Sequence, residues 1–484
     1  MGTWARAARR LRTVLLVAGV AVAGACSSSS SRSAASVPAS STTTALGSVA
    51  DAGSGRYWTR YGHDLAKSRL NAAERTVAPT TVGRLTKRWS RDGLVGVTGT
   101  PVVAGGTASF DDWTGTVRAV AADTGAPRWQ TALGGMFVAA PAVTADAVFA
   151  AAGSTLYKLD RRTGRLLWKV RTDTNPYAQI NASPVVVDGL VLQGTASFEN
   201  IVKQQHYTFR GSIAAYDATG GKQRWKFYTT KNTPTDGPGA GVWSTPAVDE
   251  RRGLLFVGTG QSLAPKTGHL ADSLLAINFH TGALKWSKQF TYPDVFSAGH
   301  PTGKDADVGA SPNLWTSNGH DLVGAGDKGG TFHALDRDTG AVMWQTRLTP
   351  GSAFGGEIGS AAFVDSKLIA TSNVGDPATN APTNVTKVFA LDPATGHIEW
   401  TAKPFSGKVF APVSAVPGLA FVGTDEGTLA ALDVATGRRL WTFRAPAKTA
   451  CGPSIVDGRV LWGYGFILFG KPGPGGVISF SVAS

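Results

Sequence analysis

Seven times along this chain a Trp stands eight residues after the first position of a Thr-Gly turn. The copies run from Asp160 to Trp168, Asp217 to Trp225, Asn278 to Trp286, Asp336 to Trp344, Asp392 to Trp400 and Asp433 to Trp441, with a variant from Ala121 to Trp129. An Asp or Asn side chain supports a tight turn, and Gly supplies the positive φ that the turn needs. A short apolar strand such as Leu429–Leu432 precedes each turn, and a Pro-led strand lies further upstream, at Pro101, Pro141, Pro184, Pro246, Pro312, Pro412 and Pro453. Each repeat therefore reads as four antiparallel strands, with the Trp on the fourth. Successive Trp residues lie 39, 57, 61, 58, 56 and 41 apart. That spacing describes propeller blades with insertions of variable length. A helical stack would need an apolar period of 3.6, which is absent.

The two ends carry complementary defects. Trp89 has no blade strands before it, and the C-terminal piece from Pro453 to Ser484 supplies strands but no closing Trp. A strand around Leu85–Trp89 added to the C-terminal piece completes an eighth blade, closes the ring and removes its open edges. The expected fold is all-β, a single eight-bladed propeller over residues 57–484, with the tag tryptophans packed between blades.

The N-terminus reads as an address. Arg6, Arg9, Arg10 and Arg12 precede an apolar run from Thr13 to Ala25, only 13 residues long. A membrane-spanning helix needs roughly 20. The run ends Ala23-Gly24-Ala25-Cys26, similar to a bacterial lipoprotein signal with Cys26 as the lipidated residue, although Ala23 replaces the usual Leu. Residues 27–56, rich in Ser, Thr and Ala, are expected to tether the domain to the outer face of the membrane. Once the signal is removed Cys451 is the one cysteine besides Cys26, so no internal disulfide is expected. Removing residues 1–25 takes four arginines from a net charge of +14 and leaves +10. That charge is spread among the repeats with no Lys/Arg run interleaved with aromatics, so nucleic acid is not an expected partner. No Cys-x-x-Cys-His haem site, His-Glu-x-x-His zinc helix or phosphate-binding Gly-x-x-x-x-Gly-Lys-Ser/Thr loop occurs.

Beyond the tags, longer stretches carry a resemblance. Tyr57-Trp-Thr-Arg-Tyr-Gly-His-Asp64, Val82–Leu85 with Trp89, Tyr207–Ser212, Val242–Pro246, Gly253–Gly260 and Asp305–Pro312 resemble quinoprotein alcohol dehydrogenases, above all the polyvinyl alcohol dehydrogenase-like proteins. The resemblance spans roughly residues 57–480 and implies an alcohol dehydrogenase holding pyrroloquinoline quinone (PQQ) and a Ca²⁺ or lanthanide ion. It implies Glu199, Gln261, Asp305 and Asp307 as metal ligands, Asp305 as catalytic base, Trp243 stacked beneath the quinone and Lys328 beside the quinone oxygen. PQQ carries three carboxylates, which makes Lys328 and Arg210 the expected counter-charges. The residue types suit the chemistry: a hard cation takes carboxylate and amide oxygens, and a positioned carboxylate takes an alcohol proton.

Several features depart from the pattern. Gln261 replaces the usual Asn, Ile358 stands where relatives tend to have Trp, and no adjacent cysteines exist to form a disulfide over the quinone. No haem segment is evident, so electrons are expected to leave to a separate acceptor, with an alcohol or a polymer as substrate. The same tags occur in a cofactor-free propeller lipoprotein of outer-membrane assembly. The alternative reading is therefore a non-catalytic scaffold that binds protein or wall polymers. The first reading expects Glu199, Gln261 and Asp305 to converge on one ion. The second expects them to scatter or to find protein partners.

Overall fold

Each tag turn closes the hairpin between the third and fourth strands of a blade, and its Gly receives the Trp of the preceding blade. At Gly164 φ is +72°, and a Cβ there would lie 2.4 Å from the Trp129 ring. The indole N–H of Trp129 donates to the Arg161 carbonyl at 2.8 Å. The pairing recurs with Trp168 on Gly221, Trp225 on Gly282, Trp286 on Gly340, Trp344 on Gly396 and Trp400 on Gly437. Each indole donates to the carbonyl just after the turn's first residue, as Trp225 does to Phe279 and Trp400 to Val434. The Asp side chain organises the turn: Oδ1 of Asp160 accepts from the N–H and hydroxyl of Thr163.

The computed structural model describes residues 56–484 apart from 137, 204–205, 232, 234–235, 264–267, 301–302, 466–473 and 484. The signal segment 1–26 with Cys26, and the tether up to residue 55, lie outside the described residues. The strands form eight sheets, each holding a four-strand meander. Blade 1 runs from Val102–Ala104 to Pro127–Ala132, blade 4 from Ala247–Asp249 to Leu284–Gln289, and blade 7 from Ser414–Val416 to Arg439–Arg444. Blades 3 and 6 each gain a short extra strand, Ala178–Gln179 and Phe405–Ser406. Blade 8 joins Ser454–Val456, Arg459–Tyr464 and Gly475–Val482 to the N-terminal strand Leu85–Leu94, with Leu85 opposite Val482. Trp89 packs on Gly125 of blade 1, and Trp441 of blade 7 donates to the Leu85 carbonyl at 3.2 Å. The complementary defects at the chain ends are thus the seam of the ring.

A strap over residues 58–71 runs along the innermost strands of all eight blades. Trp58 exchanges backbone hydrogen bonds with Val103, and the carbonyls of Thr59, Leu65, Ala66, Ser68 and Arg69 accept from Val143, Val248, Leu314, Phe363 and Ala415. Arg60 donates to the Val186 carbonyl and Asn71 to that of Ile455. The resemblance marked this stretch without saying what it does; structurally it ties the blades together at the axis.

Topology also gathers the candidate residues. Adjacent strands are antiparallel, so the start of each first strand and the end of each second strand lie at the same end of the ring. Trp243, Asp305, Asp307 and Ile358 precede first strands, and Glu199, Gln261 and Lys328 follow second strands. All therefore belong to one end, opposite the tag turns.

Candidate active site

At that end lies a cleft lined by Phe198, Phe209, Trp243, Gln261, Leu263, Asp307, Lys328, Phe354, Ile358 and Phe410, contributed by blades 3 to 7. Two glycines make room for the Trp243 indole. A Cβ on Gly309 would lie 1.7 Å from the six-membered ring, and one on Gly260 would lie 3.2 Å from Nε1 and 2.5 Å from Asp307 Oδ1. The result is an aromatic surface beside a few polar groups, the usual build of a small-molecule site.

Lys328 is the centre of that polar group. Its Nζ lies 2.9 Å from Asp305 Oδ1, contacts Asp307 Oδ2, and sits 5.7 Å from the centre of the Trp243 ring. All three charged side chains are nearly buried. The backbone fixes the arrangement: Lys328 N–H donates to the Asp307 carbonyl, and Gln261 N–H donates to Asp307 Oδ1 at 2.6 Å. Burial alone would lower the Lys328 pKa, but Asp305 and Asp307 outweigh it and raise it, so Lys328 stays an ammonium. Burial raises Asp305 well above the ordinary carboxylate range, against the pull of Lys328. The two aspartates face different spaces. Asp307 lines the cleft, whereas Asp305 lines an adjoining polar cavity with Asp327, His333, Gln345 and Arg347. His333 Nε2 and Asp327 Oδ2 are paired there at 2.7 Å.

Two further acids that sequence reasoning missed lie beneath this group. Asp294 accepts from the N–H groups of Phe296 and Ala306, and so holds the loop carrying Asp305 and Asp307. Burial, then the Asp307 charge, pushes its pKa up to about 7. Asp272 is fully buried, and its N–H donates to the Gly260 carbonyl. Burial, then the charges of Asp294, Asp307 and Asp305, raises its pKa well above the carboxylate range. In the sequence Asp294 reads as a turn residue after Pro293, and Asp272 as a polar residue before a strand. The one available signal was an acid immediately preceding the apolar run Ser273–Ile277.

Two expected site residues turn their charged groups away from the cleft. Arg210 does not line the cleft: its guanidinium stacks on Tyr228, 4.0 Å from the ring centre, and donates to the Thr230 carbonyl. Glu199 is buried, but its carboxylate is turned to the backbone, accepting from the N–H of Thr208 at 2.9 Å and of Phe209 at 2.7 Å. Thr208 and Phe209 lie just before the third strand of blade 3, which begins at Ser212. Among the described residues no three Asp, Glu, His or Cys side chains converge so as to hold a metal ion. Trp243, Gln261, Asp307 and Lys328 share the cleft, and Asp305 meets them through Lys328; the full set expected around one ion does not come together.

Residues 169–362 match the family described as glucose/ethanol/alcohol dehydrogenase, β-propeller domain, and residues 328–480 match that described as outer membrane protein assembly factor BamB. The polyvinylalcohol dehydrogenase of Sphingopyxis sp. (strain 113P3) is 30% identical over 478 residues, covering 85% of this chain and 72% of that protein. Among solved structures, quinohemoprotein alcohol dehydrogenase ADHIIG from Pseudomonas putida HK5 superposes with a TM-score of 0.75 at 19% identity, over 90% of this chain and 81% of the other. A europium-containing methanol dehydrogenase gives 0.72 at 18% identity, over 88% and 98%. The two structural likenesses concern the fold alone. The eight-bladed ring, the docking tryptophans and the identity sustained over most of both chains together establish that this chain belongs to the PQQ-type alcohol dehydrogenase β-propeller family.

Proposed function

We propose that the protein is an exported, lipid-anchored dehydrogenase that oxidises an alcohol with PQQ and passes the electrons to a separate acceptor. The observation that carries this reading is the Asp305–Lys328–Asp307 group set against the Trp243 face. The cleft suits a flat quinone: Gly309 and Gly260 leave space for the indole, and apolar side chains form the rest of the wall. Trp243 would carry the ring system, and Lys328 would stand beside its oxygens. PQQ, when bound, supplies the acceptor for the hydride of the alcohol carbon. The chain supplies proton handling and positioning. Asp305 Oδ1 is held by Lys328, and Oδ2 would take the hydroxyl proton of an alcohol that reaches it from the adjoining polar cavity that Asp305 lines. A carboxylate whose proton affinity is raised by burial is the stronger base. Phe198, Phe354, Ile358 and Phe410 keep water from the reacting carbon and favour substrates with an apolar backbone. The relative named above is a polyvinylalcohol dehydrogenase, and a polymer of secondary alcohols is the substrate class we assign.

The metal ion implied by the family does not fit the residues expected to hold it. Among the described residues those side chains do not gather round one point: the Glu199 carboxylate faces the N–H groups of Thr208 and Phe209, and Lys328 lies between Asp305 and Asp307.

Reconstitution of the purified chain with PQQ, followed by dye-coupled oxidation of secondary alcohols and polyvinyl alcohol, tests the activity. Saturable PQQ binding with turnover is expected; no PQQ binding leaves the scaffold reading, which the match of residues 328–480 favours. Cys26→Ser should move the protein from the membrane fraction to the soluble fraction, and unchanged fractionation would refute the anchor.

A further inference from the structure

The turn that carries Lys328 is built like a turn in blade 1. There Asp112 follows the second strand and opens the turn to Thr116. Its N–H donates to the Thr116 carbonyl, its Oδ1 accepts from the Thr116 N–H, and its Oδ2 accepts from Arg118, six residues on, at 2.7 Å. In blade 5 Asp327 stands in the same place. Its N–H donates to the Thr331 carbonyl at 3.0 Å, and its Oδ1 accepts from the Thr331 N–H at 2.9 Å. Its Oδ2 meets Nε2 of His333, again six residues on, at 2.7 Å. The two turns differ in that partner: a guanidinium in blade 1, an imidazole in blade 5.

The second ring nitrogen fixes the tautomer. Nδ1 of His333 lies 2.6 Å from Gln345 Nε2, which can only donate, so Nδ1 accepts and Nε2 carries the proton aimed at Asp327. The ring is stacked on Phe290 with centroids 3.8 Å apart, and both His333 and Asp327 are buried. The imidazole therefore supplies the bond without the permanent charge of a guanidinium. A second fixed cation here would stand at the cavity that Asp305 lines and compete with Lys328 for that carboxylate. Asp327 is also a junction. Its carbonyl accepts from the Glu357 N–H at 2.8 Å, one residue before Ile358 in the cleft wall, and the residue after it is Lys328.

We propose that His333 is a positioning residue for Lys328, acting through Asp327. The imidazole holds the Asp327 carboxylate, the carboxylate closes the turn to Thr331, and the turn aims the ammonium at Asp305 and Asp307. The consequence for turnover rests on the dehydrogenase reading; the placement of the ammonium does not.

The test separates the bond from the packing. His333→Phe keeps a flat ring against Phe290 and offers Asp327 nothing, His333→Gln offers an amide N–H without the ring, and Phe290→Ala removes the stack and keeps the bond. The full chain is reductively methylated with formaldehyde and borohydride. Peptide mass spectrometry follows Lys328 against the exposed Lys285, and thermal melting is read on the same samples. Wild-type Lys328, nearly buried between two carboxylates, should react far more slowly than Lys285. In His333→Phe it should react at least about tenfold faster than in the wild type, the factor carried by one hydrogen bond to a charged group. His333→Gln should keep it protected. Phe290→Ala should melt lower and still keep it protected. With PQQ supplied, His333→Phe should lose about tenfold or more in turnover, since small misplacements are costly at a reacting centre, and His333→Gln should retain most of it. Wild-type protection in His333→Phe would overturn the proposal, as would Lys328 as reactive in His333→Gln or Phe290→Ala as in His333→Phe. The expected reactivity pattern without turnover in the wild type supports the positioning role and refutes the dehydrogenase reading. Wild-type turnover with Lys328 equally protected in every variant does the reverse.

Discussion

Gly309→Ala isolates what the floor of the cleft requires. Gly309 does not have the left-handed backbone that excludes side chains, so alanine there is opposed only by what its methyl group meets. The methyl would lie 1.7, 1.9 and 2.4 Å from three carbons of the Trp243 ring. Carbon atoms pack at about 3.5–4.0 Å, so the indole has to move by about 2 Å. It can tip into the cleft, where it displaces no packed side chain, and the folding cost should therefore lie near the low end of the roughly 1–3 kcal/mol usual for overpacking. The functional cost should be larger, because the moved ring fills the space in which a flat cofactor would stack. Misplacement by about 1 Å already costs on the order of 100-fold where geometry is critical. PQQ titration followed by absorbance and tryptophan fluorescence reads the affinity, and thermal melting reads the fold. Gly220→Ala is the control, since its nearest neighbour would be Asp217 Oδ1 at 4.0 Å. Wild-type PQQ affinity in Gly309→Ala would refute the placement of the cofactor on Trp243, whereas failure of the wild type to bind PQQ would refute the functional reading.

Asp305→Asn should abolish dye-coupled turnover, a loss of at least about 100-fold for a general base, while PQQ binding persists; full turnover in this variant would remove Asp305 from the chemistry. Asp307→Ala removes one of the two partners of Lys328 and the acceptor of the Gln261 N–H; it should lower turnover only in part, and a loss as complete as that in Asp305→Asn would contradict the division of roles. Burial, then the Asp307 charge, holds the Asp294 carboxyl at about 7 in the folded chain, against roughly 3.9 unfolded. Between those values the unfolded chain is ionised and the native state still holds the proton, so stability falls as pH rises from about 4 to about 7 and is flat above, by up to about 4 kcal/mol. Urea unfolding at several pH values should show a steeper fall in the wild type than in Asp294→Asn, and equal slopes would refute it. Trp441→Ala removes the indole that donates to Leu85 across the ring seam and should cost roughly 3–5 kcal/mol in denaturant unfolding; a change below 1 kcal/mol would mean that the seam is closed by the strand pairing alone.

The blades were legible because their determinants are local. The strand Thr155–Asp160, the turn to Gly164 and Trp168 after it follow one another without interruption, and the partner of each Trp is the next copy of the same turn. Even the eighth blade could be inferred, since an unpaired strand at Trp89 and a missing strand after Gly475–Val482 leave one solution once the ring must close. The general location of the site was legible for the same reason, because strand order places the loops of Trp243, Gln261, Asp305 and Lys328 at one end. Which way each side chain turns was decided only by the loops that the fold sets beside it. Glu199 spends its charge on the N–H groups of Thr208 and Phe209, and Arg210 prefers the Tyr228 face and the Thr230 carbonyl. Lys328, just after the second strand of blade 5, bridges two aspartates 21 and 23 positions upstream that precede the first strand of the same blade. Asp272 looks like any polar residue before a strand until burial removes it from water. Sequence alone determined the ring, since periodic burial and turn geometry repeat; tertiary structure decided the site, since desolvation and charge pairing depend on which loops meet.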